Sequence, residues 1–314
     1  MGTVTVGCSI PGQALGRVGA GQPAVEEVGR ALRMIAEAGL DHVIVGDHIS
    51  FRGGRGNDGL LAAAVYAVLE PRLTTYLSVY LLPLRHPVPV ARQLATLAAY
   101  APGRVVFGIG VGGEDRHEVE ICGVDPATRG RRMDECLEVV RGLLTGEPVT
   151  FHGRHVDLDA AQIVPAPSVP IPFIVGGRSD AAVRRAGRLA EGWLGIWCST
   201  RRFAAAVEIA SEEAARVGRS AVAWRHGMQV WCGLGAGREA AREQVSTAME
   251  QLYQLPFSAF ERYVPYGAPA DVAEVLQGYV AAGCRSFNLA LCAADAAEAI
   301  AGAGEIRRLL NVCP

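Results

Sequence analysis

The chain lacks the features that mark a disulfide scaffold, a secreted protein or a membrane protein. Its eight cysteines are scattered without a C-x-x-C pair and mostly among apolar neighbours, which predicts buried thiols. The longest apolar run, LLAAAVYAVL, is about half a membrane span. No basic segment followed by an apolar one opens the chain, so we expect no signal peptide and a cytoplasmic location.

The chain also has almost no net charge. Lysine and arginine number 30 against 32 acidic residues, giving a formal net charge of −2. No global field therefore attracts nucleic acid or a membrane surface, and we expect neither as a partner. If the protein binds an anion, local geometry must hold it.

Motifs for hydrolytic and metal chemistry are missing as well. No serine lies in a nucleophile elbow, and no cysteine has a clear histidine partner. His152 and His155 with Asp157 lack a fourth ligand, and the residues around His117 do not form H-E-x-x-H. No metal site is predicted.

Short β-branched runs alternate with stretches of helical period along the whole chain. About eight strand-like segments, each followed by a helix or a helical insertion, predict a parallel sheet with helical crossovers. No composition break divides the chain, which favours a (β/α)8 TIM barrel with insertions over a doubly wound sheet. We expect a single domain over residues 1–314, with an inserted hairpin or loop region at about 146–170.

In such a barrel the site lies at the carboxyl ends of the strands. The run HVIVGDHIS (42–50) places Asp47 and His48 directly after a buried strand, and a glycine-rich loop over residues 52–59 follows. Either this strand leaves the core for a polar loop, or its end faces a ligand.

Two later strand ends are rich in glycine. The run VGGRSDAA (175–182) joins two glycines, Arg178 and a helix start, which favours either a phosphate site or a tight strand-to-helix turn. The run GIGVGGED (108–115) lacks clean G-x-G-x-x-G spacing and indicates either a loop beside a planar ligand or an open loop. Arginines 129, 131 and 132 near a helix start favour either a bound anion or a salt-bridged surface.

With these strand ends assembled, the sequence resembles the bacterial luciferase-like superfamily, and most closely its F420-dependent oxidoreductases. The resembling segments are AEAGLDHVIVGDHI, LLPLRHPVPVARQLATL, GRVVFGIGVGGE, RGRRMDECLEVVRGLLTGEPVTFHGRHVDL and PIPFIVGGRSDAAVRRAGRLAEGWLG. They cover most of residues 1–198, whereas the last hundred residues or so carry little signature.

The resemblance implies a barrel that binds a flavin or a deazaflavin at the strand ends. It implies a non-prolyl cis peptide at Ser78–Val79 that backs the ring, and a backbone segment beside the ring formed by Gly110, Val111, Gly112 and Gly113. It also implies a cofactor-phosphate site, which would be formed by Val175, Gly176, Gly177, Arg178 and Ser179.

The resemblance further implies that His48 removes the proton of a substrate alcohol as hydride leaves, with Asp47 fixing the imidazole or contacting the ring. Glu114 stands where some relatives place an acid beside the substrate, although the GGED pattern departs from the usual ones. These three residues are the predicted catalytic groups.

The leading expectation is hydride transfer between coenzyme F420 and a small organic substrate. One alternative is an FMN-dependent monooxygenase fed by a separate reductase, and another is a non-catalytic flavin-binding protein on the same barrel. A homodimer is expected, as in relatives. The aromatic segment QLYQLPFSAFERYVPYG (251–267) is predicted either to cover a pocket or to pack at a dimer interface.

Overall fold

The computed structural model describes residues 3–11, 24–113, 115–235 and 237–312. Its strands are β1 (Thr5–Ser9), β2 (His42–Val45), β3 (His48–Phe51), β4 (Arg55–Asn57), β5 (Thr74–Tyr80), β6 (Val105–Ile109), β7 (Val149–His152), β8 (Asp157–Ala161), β9 (Phe173–Gly176), β10 (Gly192–Ile196), β11 (Gly227–Leu234), β12 (Tyr266–Gly267) and β13 (Ser286–Cys292). Eight of these described strands form a closed parallel barrel in the order β1-β2-β5-β6-β9-β10-β11-β13, in which β13 pairs with β1. The predicted (β/α)8 barrel is confirmed.

The helices of the described residues are α1 (Val25–Glu37), α2 (Gly59–Leu69), α3 (Pro87–Tyr100), α4 (Arg116–Ile121), α5 (Arg129–Leu143), α6 (Asp180–Leu189), α7 (Thr200–Arg216), α8 (Arg238–Tyr253), α9 (Pro269–Ala281) and α10 (Ala296–Asn311). All except α4 and α8 form a ring around the barrel, in which each helix contacts the next and α10 contacts α1. None of the helices described is both long and apolar enough to cross a membrane.

Besides α4, which lies between β6 and α5, three insertions interrupt this pattern in the described residues. The antiparallel pair β3–β4 follows β2, and the antiparallel pair β7–β8 lies between α5 and β9. The third insertion carries α8 and two short 3-10 helices, Phe257–Ala259 and Glu261–Tyr263, between β11 and β12. The expectation of a loop over residues 52–59 is wrong for its central part, because Arg55–Asn57 form strand β4 and pair with β3. Gly53 and Gly54 form the turn between the two strands, with φ of +87° and +88°.

A polar layer lies inside the barrel. His42 Nε2 is 2.8 Å from Asn288 Oδ1, and the ring of Tyr76 lies 5.2 Å from the imidazole. The imidazole fits because Gly7 faces it: a Cβ on Gly7 would collide with the carbonyl and ring of His42. Burial lowers the pKa of His42 to about 4, against the opposing effect of the Asn288 hydrogen bond.

A second buried histidine lies between β10 and β11. His226 Nδ1 accepts a hydrogen bond from the Trp193 backbone N–H at 3.2 Å, so the neutral ring carries its proton on Nε2. Burial and, to a smaller extent, the charge of Arg285 together lower the pKa of His226 to about 4. Both histidines are therefore neutral in the folded protein at pH 7.

The low pKa values of His42 and His226 predict that the free energy of unfolding falls as the pH is lowered from 7 to 5. Their folded pKa values lie below the ordinary 6.5, so the unfolded chain binds protons first as the pH falls. Each then removes about 2 kcal/mol of the free energy of unfolding over this range. Urea unfolding at both pH values measures the loss.

The matched variant is His226→Asn, because the Asn oxygen can still accept from the Trp193 N–H while the side chain does not titrate. We expect its loss of stability between pH 7 and 5 to be smaller by about 2 kcal/mol than that of the parent. An equal loss in parent and variant would contradict the account.

Candidate active site

The carboxylate of Asp47 is buried at the carboxyl end of β2, and hydrogen bonds occupy both of its oxygens. Oδ1 accepts from the Gly59 N–H at 2.9 Å, and Oδ2 accepts from the Leu81 N–H at 2.9 Å. Arg85 adds a two-pronged ion pair, Nη1 to Oδ2 at 2.7 Å and Nη2 to Oδ1 at 2.8 Å. Asp47 thus joins the end of β2, the start of α2 and the segment after β5.

The cis peptide expected between Ser78 and Val79 is confirmed. The β5–β6 register shifts at this point, between Leu77 and Tyr80. The hydroxyl of Ser78 donates to Gln229 Oε1 on β11 at 2.8 Å, so the bulge is anchored across the barrel interior. Sequence reasoning missed Gln229, since no local pattern marked it.

Val79 brings three of the predicted cofactor residues together. Its side chain lies between Gly110 at the end of β6 and Gly176 at the end of β9. A Cβ on Gly110 would collide with Val79 Cγ2, and one on Gly176 would lie 2.8 Å from Val79 Cγ1. The two glycines are therefore required by the close approach of Val79.

The turn after β9 begins α6. Ser179 is the N-cap and accepts from the Ala182 N–H at 3.3 Å, while the carbonyl of Gly177 accepts from Trp193 Nε1 at 2.7 Å. The guanidinium of Arg178, an exposed residue, lies 5.3 Å from the centre of the Trp197 ring. The turn therefore presents a cation beside a helix start, as its sequence predicted.

The glycine loop after β6 lies beside a second arginine. Gly112 adopts φ +69° against the side chain of Leu81, and the partly buried Val111 packs on the main core. A Cβ on Gly113 would lie 3.2 Å from Arg129 Nη2, and Arg129 Nε is buried without a partner in the described part of the chain. Glu114 lies outside the described residues.

His48 begins β3, and its ring lies 4.4 Å from that of Phe51. Its imidazole is bound by the carboxylate of Glu118 on α4 instead of that of Asp47. Glu118 Oε2 lies 2.9 Å from His48 Nδ1. The expectation that Asp47 fixes the imidazole is therefore corrected: the oxygens of Asp47 are occupied by Arg85 and two backbone amides. Sequence reasoning missed Glu118, which lies only four positions after Glu114.

Glu118 is held ionised by its surroundings. Burial raises the pKa of this carboxyl. The hydrogen bonds that it accepts from His48 and from the N–H groups of Ser50 and Ile49 lower the pKa, and their combined effect is the larger one. The net pKa lies below the ordinary value. Glu118 is therefore a buried anion directly bound to the predicted base.

The β3–β4 hairpin is tied to the insertion after β11. The Arg52 N–H donates to Asp115 Oδ2 at 2.7 Å, and its guanidinium donates to the carbonyls of Leu252 at 2.6 Å and Tyr253 at 3.3 Å. In the 251–267 segment the buried rings of Tyr253 and Phe260 pack against Trp197 at 4.8 and 4.7 Å. These aromatic side chains pack on the residue that directly follows β10.

A cavity of about 400 Å³ lies between α8, the carboxyl end of β13 and the start of α10. Its polar lining comes mainly from α8 and from the N-cap of α10, and comprises Glu243, Gln244, Thr247, Gln251, Cys292 and Asp295. No arginine side chain of the described residues lines it. Around the barrel, this cavity lies on the β13 side, whereas the predicted cofactor residues lie at the ends of β2, β5, β6 and β9.

The barrel, with polar and glycine-rich strand ends, defines a TIM-barrel protein with a strand-end site. Residues 4–287 match the family described as luciferase-like monooxygenase, and the chain belongs to that family. It is similar in structure to an F420-dependent secondary alcohol dehydrogenase in complex with an F420-acetone adduct, with a TM-score of 0.84 and 18% identity over 98% of this chain and 99% of that one. At 18% identity, this similarity shows only that the two proteins share a fold.

Curated relatives share higher identity over shorter stretches. An uncharacterized protein of Mycobacterium tuberculosis is 46% identical over 135 residues, which is 43% of this chain and 46% of that protein. An F420-dependent glucose-6-phosphate dehydrogenase of Nakamurella multipartita is 34% identical over 164 residues, 50% of this chain and 48% of that protein. The chain thus spans about half the length of the curated relatives it matches.

The Asp47–Arg85 pair predicts a large stability difference between two variants. Asp47→Asn leaves the largely buried Arg85 charge without its main carboxylate partner, and we expect a loss of about 3 kcal/mol in the free energy of unfolding. The control is Asp58→Asn, which removes only the 3.4 Å contact to Arg85 and keeps an N-cap side chain for α2. Its loss should stay below about 1 kcal/mol. Urea unfolding of the parent and of both variants measures the two losses. Equal losses would contradict the larger contribution of the Asp47–Arg85 ion pair to stability.

Proposed function

We propose that this protein is an F420-dependent oxidoreductase that transfers a hydride between coenzyme F420 and a small organic alcohol. The observation that carries the proposal is the bulge at Ser78–Val79, where Val79 lies between two strand-end glycines on the side of the barrel mouth where β2 ends beside His48. The relatives named as F420-dependent dehydrogenases, at 33–35% identity, support the choice of F420.

The strand-end residues fit such a cofactor. Gly110 and Gly176 carry no Cβ beside Val79, which leaves backbone and one valine as a flat support for a planar ring. Arg178 and the first N–H groups of α6 would hold the phosphate, and Arg129 beside Gly113 adds a second cation near the glycine loop. When bound, F420 supplies a carbon centre that exchanges hydride.

Protein groups would handle the accompanying proton. His48 is 17% exposed at its side chain, and its Nδ1 is occupied by Glu118. Nε2 has no partner within the described residues, so it is the atom that would exchange a proton with a substrate hydroxyl. Asp47 contributes by fixing the chain before His48, through its contacts with Gly59, Leu81 and Arg85.

Binding titrations with F420 and with FMN, followed by tryptophan fluorescence, test the cofactor. Trp197 beside Arg178 makes quenching by a bound ring measurable. We expect F420 to bind at least tenfold more tightly than FMN. Arg178→Ala should raise the F420 dissociation constant about tenfold, or ~1.4 kcal/mol, and Arg308→Ala on the exposed surface of α10 should not.

Other titration outcomes contradict the proposal in distinct ways. Tight FMN with weak F420 would favour a monooxygenase that needs a separate reductase. Tight F420 without turnover of any alcohol would favour a non-catalytic binding protein. Binding of neither would leave the barrel without the proposed cofactor.

The cavity beside α8 lies at the carboxyl ends of the barrel strands, as His48 does, and we propose that it receives the part of the substrate that extends away from the cofactor. The chain contains no lysine, so only arginine could bind a phosphate ester by charge, and the described lining of the cavity contains Glu243 and Asp295 instead. Bringing a phosphate dianion next to two carboxylates would be unfavourable. A neutral polar alcohol fits this lining better than a sugar phosphate.

A substrate comparison tests this choice. With F420 as acceptor, we expect reduction of the cofactor by members of a panel of unphosphorylated alcohols that includes 2-propanol, and none above background with glucose 6-phosphate. The F420-dependent glucose-6-phosphate dehydrogenase of Nakamurella multipartita serves as positive control for the sugar phosphate. Turnover of glucose 6-phosphate by the present protein would contradict the choice.

A further inference from the structure

Within the described part of the chain, the carboxylate of Glu118 binds the start of β3. Oε2 lies 2.9 Å from His48 Nδ1, and Oε1 accepts from the N–H groups of Ile49 at 2.7 Å and Ser50 at 3.1 Å. Its side chain is 3% exposed. Two backbone N–H groups bound to Oε1 hold the carboxylate in place. Oε2 is therefore kept in a fixed position relative to His48 Nδ1.

The charge of Glu118 dictates which nitrogen of His48 carries the proton. An ionised carboxylate can only accept hydrogen bonds, so neutral His48 must donate from Nδ1. The lone pair then lies on Nε2, where a base needs it. With the proton on Nε2 instead, the ring could not accept a proton there.

We propose that Glu118 is a positioning residue that holds neutral His48 as the Nδ1–H tautomer, with Nε2 left as the proton acceptor. The identity of the proton donor rests on the proposed function, whereas the tautomer is a property of the chain itself. The substrate hydroxyl loses its proton to Nε2 while its carbon loses hydride to the cofactor, so the alcohol is oxidised to a carbonyl and the cofactor gains two electrons.

The decisive variant is Glu118→Gln. Its amide oxygen can still accept from Ile49 and Ser50, while its NH2 group faces Nδ1 as a donor and forces the ring proton to Nε2. Glu120→Gln on the same helix is the control, because Glu120 is exposed and pairs only with Arg116 among the ion pairs found in the described residues. Its activity and spectrum should match those of the parent.

The measurement is long-range ¹H–¹⁵N NMR of histidine-labelled protein without cofactor, with His48→Ala identifying the His48 signals by their loss. We expect the Nδ1–H tautomer in the parent and in Glu120→Gln, and the Nε2–H tautomer in Glu118→Gln. We also expect kcat to fall about 100-fold in Glu118→Gln, with the F420 dissociation constant within threefold of the parent.

An Nε2–H tautomer in the parent would overturn the proposal, whether or not the variant folds. An unchanged tautomer in folded Glu118→Gln, or an unchanged kcat, would overturn it as well. The NMR experiment needs neither cofactor nor substrate. Failure of the proposed function would instead appear as the predicted tautomers without any F420-dependent turnover.

Discussion

The candidate site depends on one buried ion pair, between Asp47 and Arg85. Three segments distant along the chain meet at this carboxylate: the end of β2, the first turn of α2 and the segment that follows β5. Because Leu81 follows the Ser78–Val79 peptide by two residues and His48 follows Asp47 by one, the pair fixes the bulge relative to the predicted base. Removing any one of the four donors leaves part of a buried carboxylate without a partner, which costs free energy.

The two acids near His48 have different tasks. Asp47 faces the interior and binds backbone and Arg85, whereas Glu118 binds the imidazole and the backbone of β3. Successive residues of an extended chain point to opposite sides, so the neighbours Asp47 and His48 separate. Asp47, the neighbour of His48 in the sequence, thus stabilises the end of β2, whereas Glu118 on α4 binds the imidazole of His48.

Local patterns in the sequence were sufficient to predict the barrel. Each strand and its crossover helix carries its own periodicity, so the eight units can be read one after another. The Ser78–Val79 cis peptide is different: no residue preference marks it, and it was predicted through the resemblance alone. The placement of Val79 between Gly110 and Gly176 depends on three strands that only the closed barrel brings together.

Long-range partners could not be predicted from the sequence. Glu118 lies 70 positions from His48, and no spacing rule connects a short helix with a strand that precedes it. Gln229 reaches Ser78 from 151 positions away. Arg85 lay within a resembling segment, LLPLRHPVPVARQLATL, but its buried partner was not evident, since charge alone does not distinguish a surface arginine from a paired one.

A crystal structure of the protein with oxidised F420 would show where the cofactor binds relative to the Ser78–Val79 bulge. We expect the deazaflavin ring to contact Val79 and to lie within reach of His48, with the cofactor phosphate at Gly177, Arg178 and Ser179. A cofactor bound in the cavity between α8 and α10, with the β5 and β9 ends empty, would contradict this expectation.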